Sequence, residues 1–189
     1  QDAGGNDNAM RNLYTVLACL LEYPGDEWAE RVVRAESLCL PGSSHGLLRE
    51  FLRDVQATPV PLLQECYTQI FDLNPVCTLE AGYHLFGENY KRGLFLANLS
   101  ETEKSHDVAL NGQLPDYLPA LLLLLDRLPE DELRADLISQ CMVPALEKMS
   151  QALRKSESPY AHLIAAVGQL LMGEADLETT KRTVSGADT

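Results

Sequence analysis

Leu114-Pro115-Asp116-Tyr117-Leu118-Pro119, running through Ala120 into the five leucines Leu121 to Leu125, is the stretch that most restricts how this chain can fold. Asp116 stands at a natural helix N-cap position, with Pro119 in the first turn, where its missing N–H costs little. From Leu118 to Leu125 the helix is apolar on every side, so it must be enclosed from several directions. Leu128-Pro129 closes it. Pro115 and Pro119 hold the approach rigid.

Helical periodicity supplies the enclosing elements. Leu13, Val16, Leu17, Leu20 and Leu21 form one amphipathic stripe, ended by Tyr23-Pro24-Gly25. Asp26 reads as the N-cap of a second helix through about Leu38. Leu47, Leu48, Phe51, Leu52 and Val55 make a third stripe, and Leu62, Leu63, Cys66, Tyr67, Ile70 and Phe71 a fourth. The pattern fails from Asp72 to Gly87, an irregular passage of the kind that is more often functional than idle. A fifth helix is expected from about Glu88 past Leu99, then a polar passage from Ser100 to Gln113. Glu130 to about Arg154 reads as a long helix kinked at Pro144, which cannot donate to the Gln140 carbonyl. Ser158-Pro159 starts a last helix through Leu171. No segment alternates with period two for long enough to make a strand. The expectation is an all-α, single-domain bundle of seven to eight helices over residues 11–172. Residues 1–10 read as a disordered or tag-derived start, and 173–189 as a flexible polar tail.

A formal charge of −13 disfavours nucleic acid and anionic membranes, and favours a basic protein segment or a cation. Acidity that serves only solubility is the alternative. Apolar runs fall short of the roughly 18 residues of a membrane span. The five cysteines are odd in number and have no close pair. Cys19, Cys66 and Cys141 sit among apolar residues at helical spacing and read as small buried hydrophobes, which fits a reducing, cytoplasmic compartment. His45, His84, His106 and His162 lie far apart without metal-ligand spacing, and no phosphate-cradling loop is present. Ser43-Ser44-His45 is ordinary turn chemistry rather than a nucleophile and base. The sequence holds no credible catalytic constellation. A protein that binds other chains fits best, with a helical small-ligand binder as the other reading.

Tyr67-Thr68-Gln69-Ile70-Phe71-Asp72, then Leu79, Tyr83-His84, Lys91-Arg92-Gly93 with Leu96 and Leu99, and finally the Leu114–Pro119 motif resemble the nitrate reductase delta subunit, or NarJ, family, which belongs with the TorD and DmsD chaperones. The resemblance implies an all-helical, non-catalytic chaperone with no cofactor of its own, monomeric or dimeric. It would hold the N-terminal, basic or twin-arginine-like segment of a molybdoenzyme catalytic subunit in the cytoplasm while the molybdenum cofactor is inserted. Gln113 stands where the nearest relatives are expected to carry Glu. Together with the divergent Asp72–Gly87 passage, this leaves open a selenate, chlorate or hydrocarbon-oxidising client.

The expected docking mode is an amphipathic helix in an acid-rimmed apolar groove. Tyr83, His84, Glu88, Arg92, Asp116 and Tyr117 are the candidate groove or hinge residues. Tyr67, Phe71, Asp72, Gly93, Leu114, Pro115, Leu118 and Pro119 are motif positions of structural weight. Asp116 is either a cap alone or a contact, and Arg92 pairs with Asp72 or Asp116 or touches the client. His84 is a half-buried hydrogen-bonding residue or a pH-responsive contact. Tyr67, Phe71 and Tyr117 read as core aromatics.

Overall fold

The computed structural model describes residues 13–39, 45–73 and 77–185, and every regular element within them is helical. In chain order the α-helices are α1 (13–20), α2 (Trp28–Leu38), α3 (Gly46–Gln56), α4 (Val60–Tyr67), α5 (Ala81–Phe86), α6 (Tyr90–Ser105), α7 (Leu118–Arg127), α8 (Glu132–Asp136), α9 (Val143–Leu153) and α10 (Pro159–Ser185), with π-helical turns over Thr68–Asp72 and Leu137–Met142. The expected start at 1–10, the Ser43-Ser44 turn and Asn74-Pro75 lie outside the described residues.

The leucine run behaves as its pattern requires. Seven of the ten residues of α7 are buried, and α1 buries Leu13, Val16, Leu17 and Leu20, with Leu21 just after it, in the same core. An aromatic cluster joins further helices to that core. Tyr160 packs against Phe51, Tyr67 and Phe71 at centroid distances of 5.8, 5.6 and 5.3 Å, mostly edge to face. Cys141 and Cys77 are buried, while Cys19 and Cys66 are only half-buried.

Five local expectations change. Asp26 is not the cap of α2: Glu27 holds that position and makes no side-chain cap bond. The Asp72–Gly87 passage contains the short helix α5, ended by Gly87 at φ +60°, a conformation glycine adopts without a Cβ penalty. The fifth helix runs on to Ser105. Near Pro144 the chain widens into a π-turn over Leu137–Met142, which accommodates the missing N–H. The last helix passes through Gly173 and continues to Ser185, because Glu174 is drawn into the core by partners on α1 and α8.

Candidate functional site

A two-residue strap sets the first site. Ala81 N–H donates to the Asp116 carbonyl and Leu118 N–H to the Leu79 carbonyl, both at 2.8 Å, so the start of α5 lies antiparallel to the start of α7. This places the Asp116 side chain directly over Gly82. A Cβ at Gly82 would stand 2.6 Å from Asp116 Oδ2 and 3.0 Å from the Phe95 ring, so only glycine admits that approach. Phe95 belongs to α6, whose Arg92 donates from Nε to Asp116 Oδ2 at 2.9 Å and holds Nη2 in an ion pair with the same oxygen at 2.9 Å.

Asp116 is therefore no helix cap. Tyr117 occupies the cap position of α7, and the Asp116 carboxylate is fully buried and turned to Arg92. Burial pushes its carboxyl above the ordinary value, although Arg92 pulls the other way. Of the two partners expected for Arg92, the structure selects Asp116; Asp72 is exposed. The Arg92 guanidinium also lies 5.7 Å from the centre of the Tyr83 ring, which is 42% exposed.

The remaining candidates scatter. Tyr117 points into the core, its hydroxyl toward Glu22 Oε2 at 3.4 Å and near Tyr67, and burial raises its pKa well above the tyrosine range. Tyr67 donates to the Leu21 carbonyl at 3.1 Å and its pKa is pushed up to about 12 by burial. His84 Nε2 sits 2.9 Å from the Thr78 carbonyl, and Lys148 donates to the His84 carbonyl. Glu88 and Gly93 are exposed. Leu114 is exposed, whereas Leu118, Pro119 and Phe71 are buried and Pro115 half-buried.

Glu103 escaped the sequence reading. It is 1% exposed, faces the same way along α6 as Arg92 and Leu99, and neither of its carboxylate oxygens has a partner; Asp116 Oδ1 has none either. Burial, and then the Asp116 charge, hold the Glu103 carboxyl up to about 7. The signal was an acid four residues after Leu99 on an inward stripe, hidden by ending the helix too early.

A second buried carboxylate is satisfied. Glu174 Oε1 accepts from Arg134 Nε at 3.0 Å and Nη2 at 2.7 Å, and Oε2 accepts from the Tyr14 hydroxyl. Arg134 also donates to the Leu125 carbonyl and lies 5.3 Å from the Tyr14 ring centre. Burial works against the Arg134 charge, but Glu174 and Tyr14 outweigh it and hold the guanidinium above its ordinary value.

Beside this lock an apolar groove of about 320 Å³ runs between α1, α3 and α10, lined chiefly by Leu13, Leu17, Leu47, Leu48, Leu170 and Leu177. Leu47 and Gln169 continue into a wider groove between α9 and α10 that includes Val143, Leu146 and Met172. The six candidates named from the sequence line neither. Among the described residues, no group of His, Cys, Asp and Glu is arranged to hold a metal ion, and no helix is long and apolar enough to cross a membrane.

The architecture is that of a solved protein from Archaeoglobus fulgidus described as a redox enzyme maturation protein. The match has a TM-score of 0.65 at 18% identity and covers 86% of this chain and 94% of that one, which establishes the fold. Sequence carries the comparison further. Over most of its length the chain is homologous to the NarJ and NarW nitrate reductase molybdenum cofactor assembly chaperones, as its motifs suggested. It is 31% identical over 154 residues to Escherichia coli K-12 "Nitrate reductase molybdenum cofactor assembly chaperone NarJ", covering 78% of this chain and spanning 64% of the relative's length. Escherichia coli NarW matches at 26% over 92% of this chain and 74% of its own. The Bacillus subtilis protein described as a NarJ chaperone matches at 25%, over 92% and 94%. No protein-family model matches.

Proposed function

We propose that this protein is a cytoplasmic assembly chaperone for the catalytic subunit of a nitrate reductase-type molybdoenzyme, gripping that subunit's N-terminal segment while the molybdenum cofactor is inserted and catalysing nothing itself. The observation that carries this is homology to named molybdenum cofactor assembly chaperones over 78–92% of the chain. The grooves flanking α10 support it, since they offer an apolar bed to the inner face of an amphipathic helix. Two or three anchors at about 1.5–3 kcal/mol each, offset by the ordering of a flexible segment, give affinities between nanomolar and micromolar. The charge of −13 favours a basic partner and speeds the encounter.

Calorimetry with the N-terminal peptide of a co-encoded molybdoenzyme subunit tests the proposal. Binding that weakens with added salt is expected. Leu47→Asp and Leu177→Asp, at half-buried and exposed positions of the groove, should reduce affinity tenfold or more while leaving the melting temperature nearly unchanged. Absence of binding, with a stoichiometric small molecule on the purified protein, would instead establish a ligand binder.

A further inference from the structure

We propose that the buried acid pair Glu103–Asp116 is a seat for one basic side chain of the client segment, entered when α6 lifts from the body. This rests on the function proposed above only for the identity of the partner. Of the two carboxylates, only Asp116 meets a cation. Of their four oxygens only Asp116 Oδ2 is engaged, by Arg92, and the other three are enclosed without a hydrogen-bond partner. Native interiors leave few such atoms, because each forfeits its hydration for nothing in return. A leucine at position 103 would remove most of that cost, so an acid at this position points to a partner that engages it.

Any hydrogen-bond donor can satisfy these oxygens, but only a proton or a cationic donor also offsets their charge. The proton is present about half of the time near neutrality, since burial and Asp116 hold Glu103 at about 7. A guanidinium or ammonium group, with several N–H donors, satisfies the same oxygens and neutralises the second charge. The cover over the seat is held by the Arg92–Asp116 pair and by little apolar burial. Only Leu99 and Glu103 of the sixteen residues of α6 are buried, and its outer face leaves Tyr90 and Leu94 75% and 63% exposed. The connections on both sides turn through positive-φ residues, Gly87 before it and Asp107, Asn111 and Gly112 after it.

Charged and titratable groups around the seat are Asp116 with its partner Arg92, Glu80, whose charge helps to raise the Asp116 carboxyl, and Cys141, whose thiol is raised by burial and then by Asp116. At the end of α6 stand His106 and Asp107, whose carbonyls accept from Arg127. Of these, Glu103 alone has to lose a proton for the basic group to bind as an ion pair.

Binding should therefore release a proton. Calorimetry of the N-terminal client peptide at pH 7, in two buffers of different ionisation heat, is expected to show about half a proton released per complex, and affinity should rise about tenfold from pH 6 to pH 8. Glu103→Gln should abolish both effects, His106→Asn should retain them, and a peptide with its basic residues changed to glutamine should bind the wild-type chain without proton release. Peptide binding with no proton release, or a Glu103→Gln profile identical to wild type, would overturn the seat while leaving the chaperone function standing. Failure of every client peptide to bind would overturn both.

Discussion

Glu174 and Glu103 are both acids enclosed by apolar surroundings, yet their environments are opposites. Glu174 meets a two-pronged guanidinium and a phenol, and its partners come from α1 and α8, so it fastens three separate parts of the chain. Glu103 meets another carboxylate and no donor. The first arrangement is a structural lock, whose removal leaves an uncompensated charge. The second costs stability in the closed form and has value only if something engages it. Both acids lie on long helices, so burial of a charge alone does not reveal its use; the partners do.

The contrast is open to direct attack. Glu174→Ala strands the Arg134 guanidinium in the core and should cost about 3–5 kcal/mol in urea denaturation; a loss near zero would make the lock ornamental. Gly82→Ala forces a methyl into Asp116 and Phe95, and should cost about 1–3 kcal/mol while loosening α6 in hydrogen exchange.

Glu103→Leu should have the opposite sign and stabilise the protein by about 1–3 kcal/mol at pH 8. Its folded-state pKa is raised from 4.5 to about 7, so the closed form binds the proton more tightly than the unfolded chain does. The acid imposes no penalty below about pH 4.5, and the penalty grows through pH 7 to at most about 3 kcal/mol. The gain from leucine should accordingly shrink at pH 5. A pH-independent difference would show that Glu103 is not desolvated. Smallest is Gly93→Ala: beyond its neighbours and the backbone of its own helix nothing lies within 4 Å of the added methyl, so helix propensity alone should stabilise α6 by about 0.5–1 kcal/mol. Weakened client binding in that variant would make the outer face of α6 a contact surface.

What the sequence disclosed was local. The α7 run, the Ser158-Pro159 helix start and the core aromatics follow from spacing and from turn chemistry within a few residues. The Arg92–Asp116 pair was half legible, because two charges on neighbouring segments suggest a partner without choosing it. Glu174 was hidden because Gly173 resembles a stop signal. A glycine inside a helix costs only about 1 kcal/mol, and the compensation comes from Tyr14, 160 positions away in sequence. Asp116 was misread as a cap for the same reason: local preference favours the cap, and a distant arginine turned the side chain inward. The apolar grooves were invisible as such, since each helix contributes an ordinary stripe and the gap exists only between α1, α3 and α10. The family motifs pointed to the right relatives, and of the site residues they suggested, Arg92, Asp116 and Tyr83 meet at a buried ion pair while the others lie apart.

Co-expression with a co-encoded molybdoenzyme catalytic subunit, followed by native mass spectrometry, tests the central claim most directly. A one-to-one complex is expected with the intact subunit and should disappear when the subunit's N-terminal segment is deleted. No complex with the intact subunit, or an equally abundant one after the deletion, would contradict it.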